Sequence, residues 1–278
     1  MKLKTNLVFL IFIFGLSCQK KSQNTTTGNP SISAALTSSS TVSTVYFRHN
    51  PKHLIELLIP KLFAFPAPTS LTDSAGNSVQ LNKNWITIGE LEFKTAENVE
   101  SGEETGSNVD FKGPYTVNLF SEAPTILGSN QVGIKEIRRI KMKLIRTSTL
   151  PEGAPSGLLN KSLYVEGTVN GHGFSFSTFD ESESQISGAT AVTPLENKTL
   201  LVELKVANLI KKMNLSIITS NNAIDDTNRV PASNPCPTID PSASDLFTCF
   251  RKGFETESTL GLDEDGNFKL DPGEQQVK

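Results

Sequence analysis

Near its C-terminus the chain carries Asp263-Glu-Asp-Gly-Asn-Phe-Lys-Leu-Asp-Pro-Gly-Glu274, a run in which oxygen-bearing side chains recur at alternating positions. A hard cation such as Ca²⁺ takes six to eight oxygen ligands, and alternating carboxylates around a tight turn supply them. Clustered charge of this kind also serves as a plain solvated surface. A second set of reactive groups is the three cysteines. Cys18 directly follows Gly15-Leu16-Ser17, and Cys236 and Cys249 remain as an even pair. In an exported chain such a remainder predicts a disulfide. In the chain-entropy model a loop this short gains about 3 kcal/mol from closure. A third set is basic: Lys135, Arg138, Arg139, Lys141, Lys143 and Arg146 against the single acid Glu136. Such a stretch suits an anionic ligand, a sulfated glycan or a lipid head group. It equally suits one solvated strand face whose charges guard an edge from aggregation. No aromatic residues interleave with the basic ones, which argues against nucleic acid.

Groupings that would signal an enzyme are missing from the sequence. His49 and His53 have i, i+4 spacing, but Pro51 lies between them and no HExxH arrangement is formed. His172 falls in an expected turn. No GxSxG, Walker A or GxGxxG pattern occurs. Acidic pairs such as Glu90/Glu92 and Glu103/Glu104 are of the right type for glycoside hydrolysis, but sequence does not give their separation. A non-enzyme is therefore expected, with a carbohydrate-active hydrolase as the lesser alternative.

The N-terminus supplies an address. Lys2 and Lys4 form a positive n-region and Leu7–Phe14 an unbroken apolar run, too short for a stable span and flanked like a signal peptide. A cysteine directly after small residues resembles the bacterial lipobox, in which the thiol is lipidated and the chain is cut before it. Gly15 stands where the usual leucine would be, with Leu16 one place later, a spacing that resembles spirochaete lipoproteins. The resemblance implies a signal peptide over 1–17, removed with its two lysines, and a lipid anchor on Cys18. Each buried acyl CH₂ adds about 0.8 kcal/mol, so several chains on one cysteine hold a protein durably to a bilayer. Gln19 follows the cysteine. An outer-membrane or cell-surface location is expected, with the periplasmic face as the alternative.

The acidic run, aligned on Leu270, resembles the twelve-residue EF-hand calcium loop. That resemblance places Asp263, Asp265 and Asn267 at ligand positions 1, 3 and 5, the Lys269 carbonyl at 7, Asp271 at 9 and Glu274 at 12. Phe268 replaces the glycine of position 6, where positive φ is costly for a bulky residue. The implied site is a single degenerate loop with affinity on the order of 10⁻⁴–10⁻³ M, as in extracellular modules.

The elements that must hold these groups follow from composition and periodicity. The 278 residues, 37% hydrophobic and 20% charged with net charge −3, allow one or two globular domains and exclude collagenous, coiled-coil and polytopic membrane chains. Residues 18–45, rich in Ser, Thr, Asn and Gly, read as a lipidated cysteine and flexible tether. Asn50-Pro51 reads as the start of a short helix through Leu58. Residues 46–220 are mostly period-two. Ile86 and Ile88 alternate, then Leu91 and Phe93 in the opposite phase, so a bulge is expected near Gly89. Strands are also expected around Tyr115–Leu119, Ile140–Leu144, Leu200–Val206 and Leu215–Thr219, with a helical turn at Asn208–Met213. Leu163–Val165 and Phe174–Phe176 flank Asn170-Gly171, a hairpin signal. A mainly β fold follows: an antiparallel β-sandwich, with a β-barrel as alternative. Residues 221–235 read as a linker. Residues 236–278 read as a C-terminal helix-loop module, its helix starting at a capping box from Ser242 to Asp245 and ending at Gly253.

The stretches WITIGELEF (85–93) and FKGPYTVNLF (111–120) resemble strand pairs of β-sandwich domains in bacterial surface lipoproteins. That resemblance implies a fold and a location but no catalytic residues. The expected function is a lipid-anchored, calcium-stabilised envelope protein that binds an extracellular protein or glycan; a purely structural envelope lipoprotein is the alternative.

Overall fold

The computed structural model of the protein describes residues 31–37, 69–95, 109–120, 129–131, 136–181, 183–193, 198–265 and 270–277. Cys18, the expected helix after Asn50, Lys135, Asn267 and Lys269 lie outside the described residues. The strands are β1 (Ser31–Thr37), β2 (Thr69–Thr72), β3 (Ser78–Thr95), β4 (Val109–Asn118), β5 (Ser129–Gln131), β6 (Ile137–Leu144), β7 (Leu163–Val169), β8 (His172–Thr178), β9 (Glu183–Val192), β10 (Thr199–Leu204), β11 (Asn222–Ile224), β12 (Ser258–Asp263) and β13 (Gln276–Val277); the helices are α1 (Val206–Lys212) and α2 (Leu246–Thr256). Among the described residues the chain is mainly β, in two sheets with no closed barrel. One sheet runs β13-β12-β10-β1-β5, and the other is built around β3. Most pairings are antiparallel, with β1–β10 and β11–β8 parallel.

The long β3 organises the larger sheet. Trp85 pairs with both Asn118 of β4 and Tyr164 of β7, while Leu91 pairs with both Phe111 of β4 and Met142 of β6. A strand has only two edges, so β7 and β6 share one edge of β3 in succession, with β4 on the other. The exchange is at Thr87, whose N–H donates to Ser162 O while its own carbonyl accepts from Ile145 N. The register shift between Ile88 and Glu90 is the bulge expected at Gly89. A Cβ there would run into the Ile145 side chain, so the bend needs glycine.

Alternation decides which faces are buried. In β7, Leu163, Val165 and Val169 are buried, whereas Tyr164, Glu166 and Thr168 are half-buried. Every residue of β10 is buried, as expected of an interior strand. One apolar cluster runs from Val79 to Val277 and draws on both sheets and both helices. Within it Phe250 of α2 stacks on Phe176 of β8, with ring centroids 4.5 Å apart and planes 4° from parallel. Burying one such ring stabilises by about 1.5–3 kcal/mol.

Several local expectations are revised. Residues 31–37, inside the expected tether, form β1 between β10 and β5. Their sequence alternates Ile32, Ala34 and Leu36 with Ser31, Ser33 and Ala35, the strand period. The stretch read as a linker contains β11, and the C-terminal segment contributes α2, β12 and β13 to the common core. Leu215–Thr219 is a turn, with Ile218 N donating to Leu215 O. Leu215 and Ile218 are buried three residues apart while Ile217 is 38% exposed, so the spacing was never that of a strand. The cap of α2 is Asp245, which accepts from Thr248 N at 2.6 Å. Ser242 is engaged elsewhere, its N–H and hydroxyl both donating to Asp240 Oδ1. Gly253 does not end the helix. It lies inside α2, where a Cβ would strike Leu209 of α1, so it is the residue that lets the two helices approach.

Candidate metal centre

Strand β12 delivers Asp263 as its last residue, opposite Thr199 of β10, and the residue is almost fully enclosed at 1% exposure. The chain then loops back to β13, so this acidic segment links two strands. Leu270 folds over Gly261, where a Cβ would meet both Leu270 and the Gln275 carbonyl. Glycine at 261 therefore lets Leu270 and the Gln275 carbonyl approach β12 closely. The return is fixed by Leu262 N donating to Gln275 O at 2.8 Å and by Gly273 at φ 109°.

Glu274 ties the two ends together. Its Oε1 accepts from Glu264 N at 2.8 Å and its Oε2 from Asp271 N at 2.7 Å. The Glu264 carbonyl accepts from Lys198 Nζ. One oxygen each from buried Asp263, exposed Asp265 and half-buried Glu274 lies within 4.8 Å of the others. Three carboxylates so close repel, and a divalent cation between them would turn that repulsion into attraction. The donor set is all oxygen, which fits a hard ion, and each Glu274 oxygen retains a lone pair beyond its N–H bond. This acidic triad could thus bind a metal ion. Of the expected ligands, Asp263, Asp265 and Glu274 converge. Asp271 instead contributes its backbone N–H to the clip, and its carboxylate is not part of the triad.

The corner is anchored to the other sheet as well. Thr190 Oγ1 of β9 donates to Gln276 O at 2.6 Å, and Thr193 N donates to Gln275 Oε1 at 2.9 Å. The loop therefore sits where the two sheets meet.

Cys236 and Cys249 form a disulfide with Cα atoms 5.9 Å apart. It fastens the irregular 230–245 segment to the first turns of α2. Most of the basic residues in β6 and just after it are set among acids. Lys141 pairs with Glu183 at 3.2 Å, Arg138 with Glu136 at 3.6 Å and Arg146 with Glu181 at 3.9 Å. Glu90 faces Lys143 and Glu92 faces Lys141 across the ladder. Arg139 stands opposite Lys94 and Ser187.

A further polar centre was not legible beforehand. Asp225 accepts from the hydroxyl and N–H of Thr227 and from Asn228 N, and it pairs with Lys161 at 3.3 Å. Burial opposes its ionisation, but these hydrogen bonds and the lysine charge prevail and hold its pKa down to about 2. Lys161 also lies 4.9 Å from the Phe179 ring centroid, with Arg146 at 5.5 Å from the same ring. The signal available in sequence was the Asp-Asp-Thr-Asn run, a turn-forming composition. Nearby on β7, Tyr164 donates to Glu166 at 2.6 Å. Burial, this bond and the adjacent charge raise its pKa well above the usual phenol range.

No family model and no curated protein matches the chain. Among solved structures it is similar to MbnP from Methylosinus trichosporium, with a TM-score of 0.33 and 14% sequence identity, covering 84% of this chain and 98% of that one.

Proposed function

We propose that this is a lipid-anchored cell-envelope protein that binds an extracellular protein or glycan without catalysis, its C-terminal loop stiffened by Ca²⁺. The observation that carries the calcium part is the convergence of Asp263, Asp265 and Glu274 within 4.8 Å. Calcium suits the site better than magnesium because the frame is a loop between strands, and Ca²⁺ accepts flexible, irregular oxygen geometry. The anchoring part is supported by the lipobox-like residues ending at Cys18 and by the Ser/Thr-rich stretch behind it. The charged face around β6, with both signs interspersed, supports a solvated surface there more than a dedicated anion site.

The reading is tested by expressing the full chain and a Cys18→Ser variant with labelled fatty acid and following membrane fractionation. Incorporation and membrane retention lost in the variant support the anchor; a soluble wild-type chain overturns it. A screen of the released domain against matrix proteins, glycans and serum proteins, with and without calcium, then separates binding from a purely structural role.

A further inference from the structure

We propose that Asn170 is a self-modification site, converting to aspartate and isoaspartate through a succinimide, and that its hydrogen bond to Asn77 gates the reaction. Asn170-Gly171 is the one Asn-Gly pair in the sequence. The pair forms the two-residue turn between β7 and β8, with φ of 49° and 86°, and both residues are exposed. Gly171 has open space where a side chain would be. Among the described residues its N–H donates to no acceptor, so nothing ties up the nucleophile.

The chemistry needs only water. The Gly171 nitrogen attacks Asn170 Cγ, a new N–Cγ bond forms, and the Cγ–Nδ2 bond breaks. The displaced amide proton leaves with Nδ2 as ammonia. Water then opens the five-membered imide at either carbonyl, giving an aspartyl or an isoaspartyl linkage.

What holds this reaction back is a chain of three side chains. Asp73 carries carboxylate oxygens that only accept, so the Asn77 atom facing Asp73 Oδ2 at 2.9 Å is its amide nitrogen. Asn77 therefore turns Oδ1 toward Asn170 and accepts its Nδ2–H at 2.7 Å. The Asn170 N–H is also held, by Ser78 O at 3.0 Å. Asn170 must leave Asn77 before its amide carbon can meet the Gly171 nitrogen. Once converted, the new carboxylate faces Asn77 Oδ1, acceptor against acceptor, and the clip cannot re-form. An isoaspartyl linkage also lengthens the backbone of a turn whose closing pair is Val169–His172. The contact between the β2–β3 and β7–β8 turns is then lost irreversibly.

The test incubates folded wild type and Asn77→Ala in mildly alkaline buffer and maps peptides by mass, with enzymatic detection of isoaspartate. Conversion at Asn170 in the wild type, several-fold faster in Asn77→Ala, is the expected result. Equal rates, or no conversion in either folded protein, would overturn the proposal. Thermal melts of Asn170→Asp and Asn170→Gly give a readout that does not depend on the Asn77 variant folding. Glycine tolerates the positive φ and places no carboxylate against Asn77, so the aspartate variant should melt lower. An aspartate variant as stable as wild type would contradict the product side of the account.

Discussion

Asp263 and Glu274 stand at opposite ends of one loop, yet their carboxylates meet, with that of Asp265, within 4.8 Å. Glu274 also has a structural duty. It already holds Glu264 N and Asp271 N, and Asp265 is exposed. Glu274→Ala should therefore destabilise the protein even in chelator, by about 1–3 kcal/mol for two orphaned N–H groups. Asp265→Asn should reduce the shift caused by calcium. Melting curves of both variants, with chelator and with calcium, check this.

Gly253 decides how closely α1 and α2 pack. Alanine is the better helix former by about 1 kcal/mol, so an exposed glycine would gain from the change. Here the added methyl meets Leu209, and overpacking costs about 1–3 kcal/mol. Gly253→Ala should lower the urea midpoint without altering the slope. Leu209→Ala in the same chain should recover part of the loss.

The disulfide closes a loop with a sequence separation of 13 between Cys236 and Cys249. Replacing both with alanine should remove about 3 kcal/mol. Asp245→Ala, which frees Thr248 N, should remove about 1 kcal/mol separately. Equilibrium unfolding in urea measures both.

Asp225 supplies a pH dependence. Its folded pKa of about 2 lies below the ordinary 3.8, so it contributes stability above that value. The contribution is lost as pH falls from 3.8 toward about 2. Asp225→Asn should lower stability near neutrality and flatten the acid limb within that window. Unfolding free energies at a series of pH values test the sign.

How far the fold was legible depended on whether its cause was local. The Gly89 bulge announces itself by a phase change between Ile88 and Leu91, and the Asn170-Gly171 turn by its need for positive φ. The Cys236–Cys249 pair follows once Cys18 is assigned to lipid. Long-range causes were silent. Nothing in residues 31–37 names β10 as a partner, and the closeness of Gly253 to Leu209 exists only after two helices cross. The acidic segment was legible as a set of oxygens. That Asp271 would give its N–H to Glu274 was not, because this depends on how β12 and β13 bring the loop's ends together.

The central claim is tested most directly by titrating calcium into the chain from Gln19 onward, which keeps β1, and following heat and melting temperature. Asp263→Ala and Glu274→Ala run alongside, with magnesium as control. Saturable binding on the order of 10⁻⁴–10⁻³ M, a raised melting temperature, and loss of both in each variant are the expected results. No heat and no shift at millimolar calcium would reduce the Asp263–Glu274 segment to an acidic surface loop and contradict the calcium-stabilised reading.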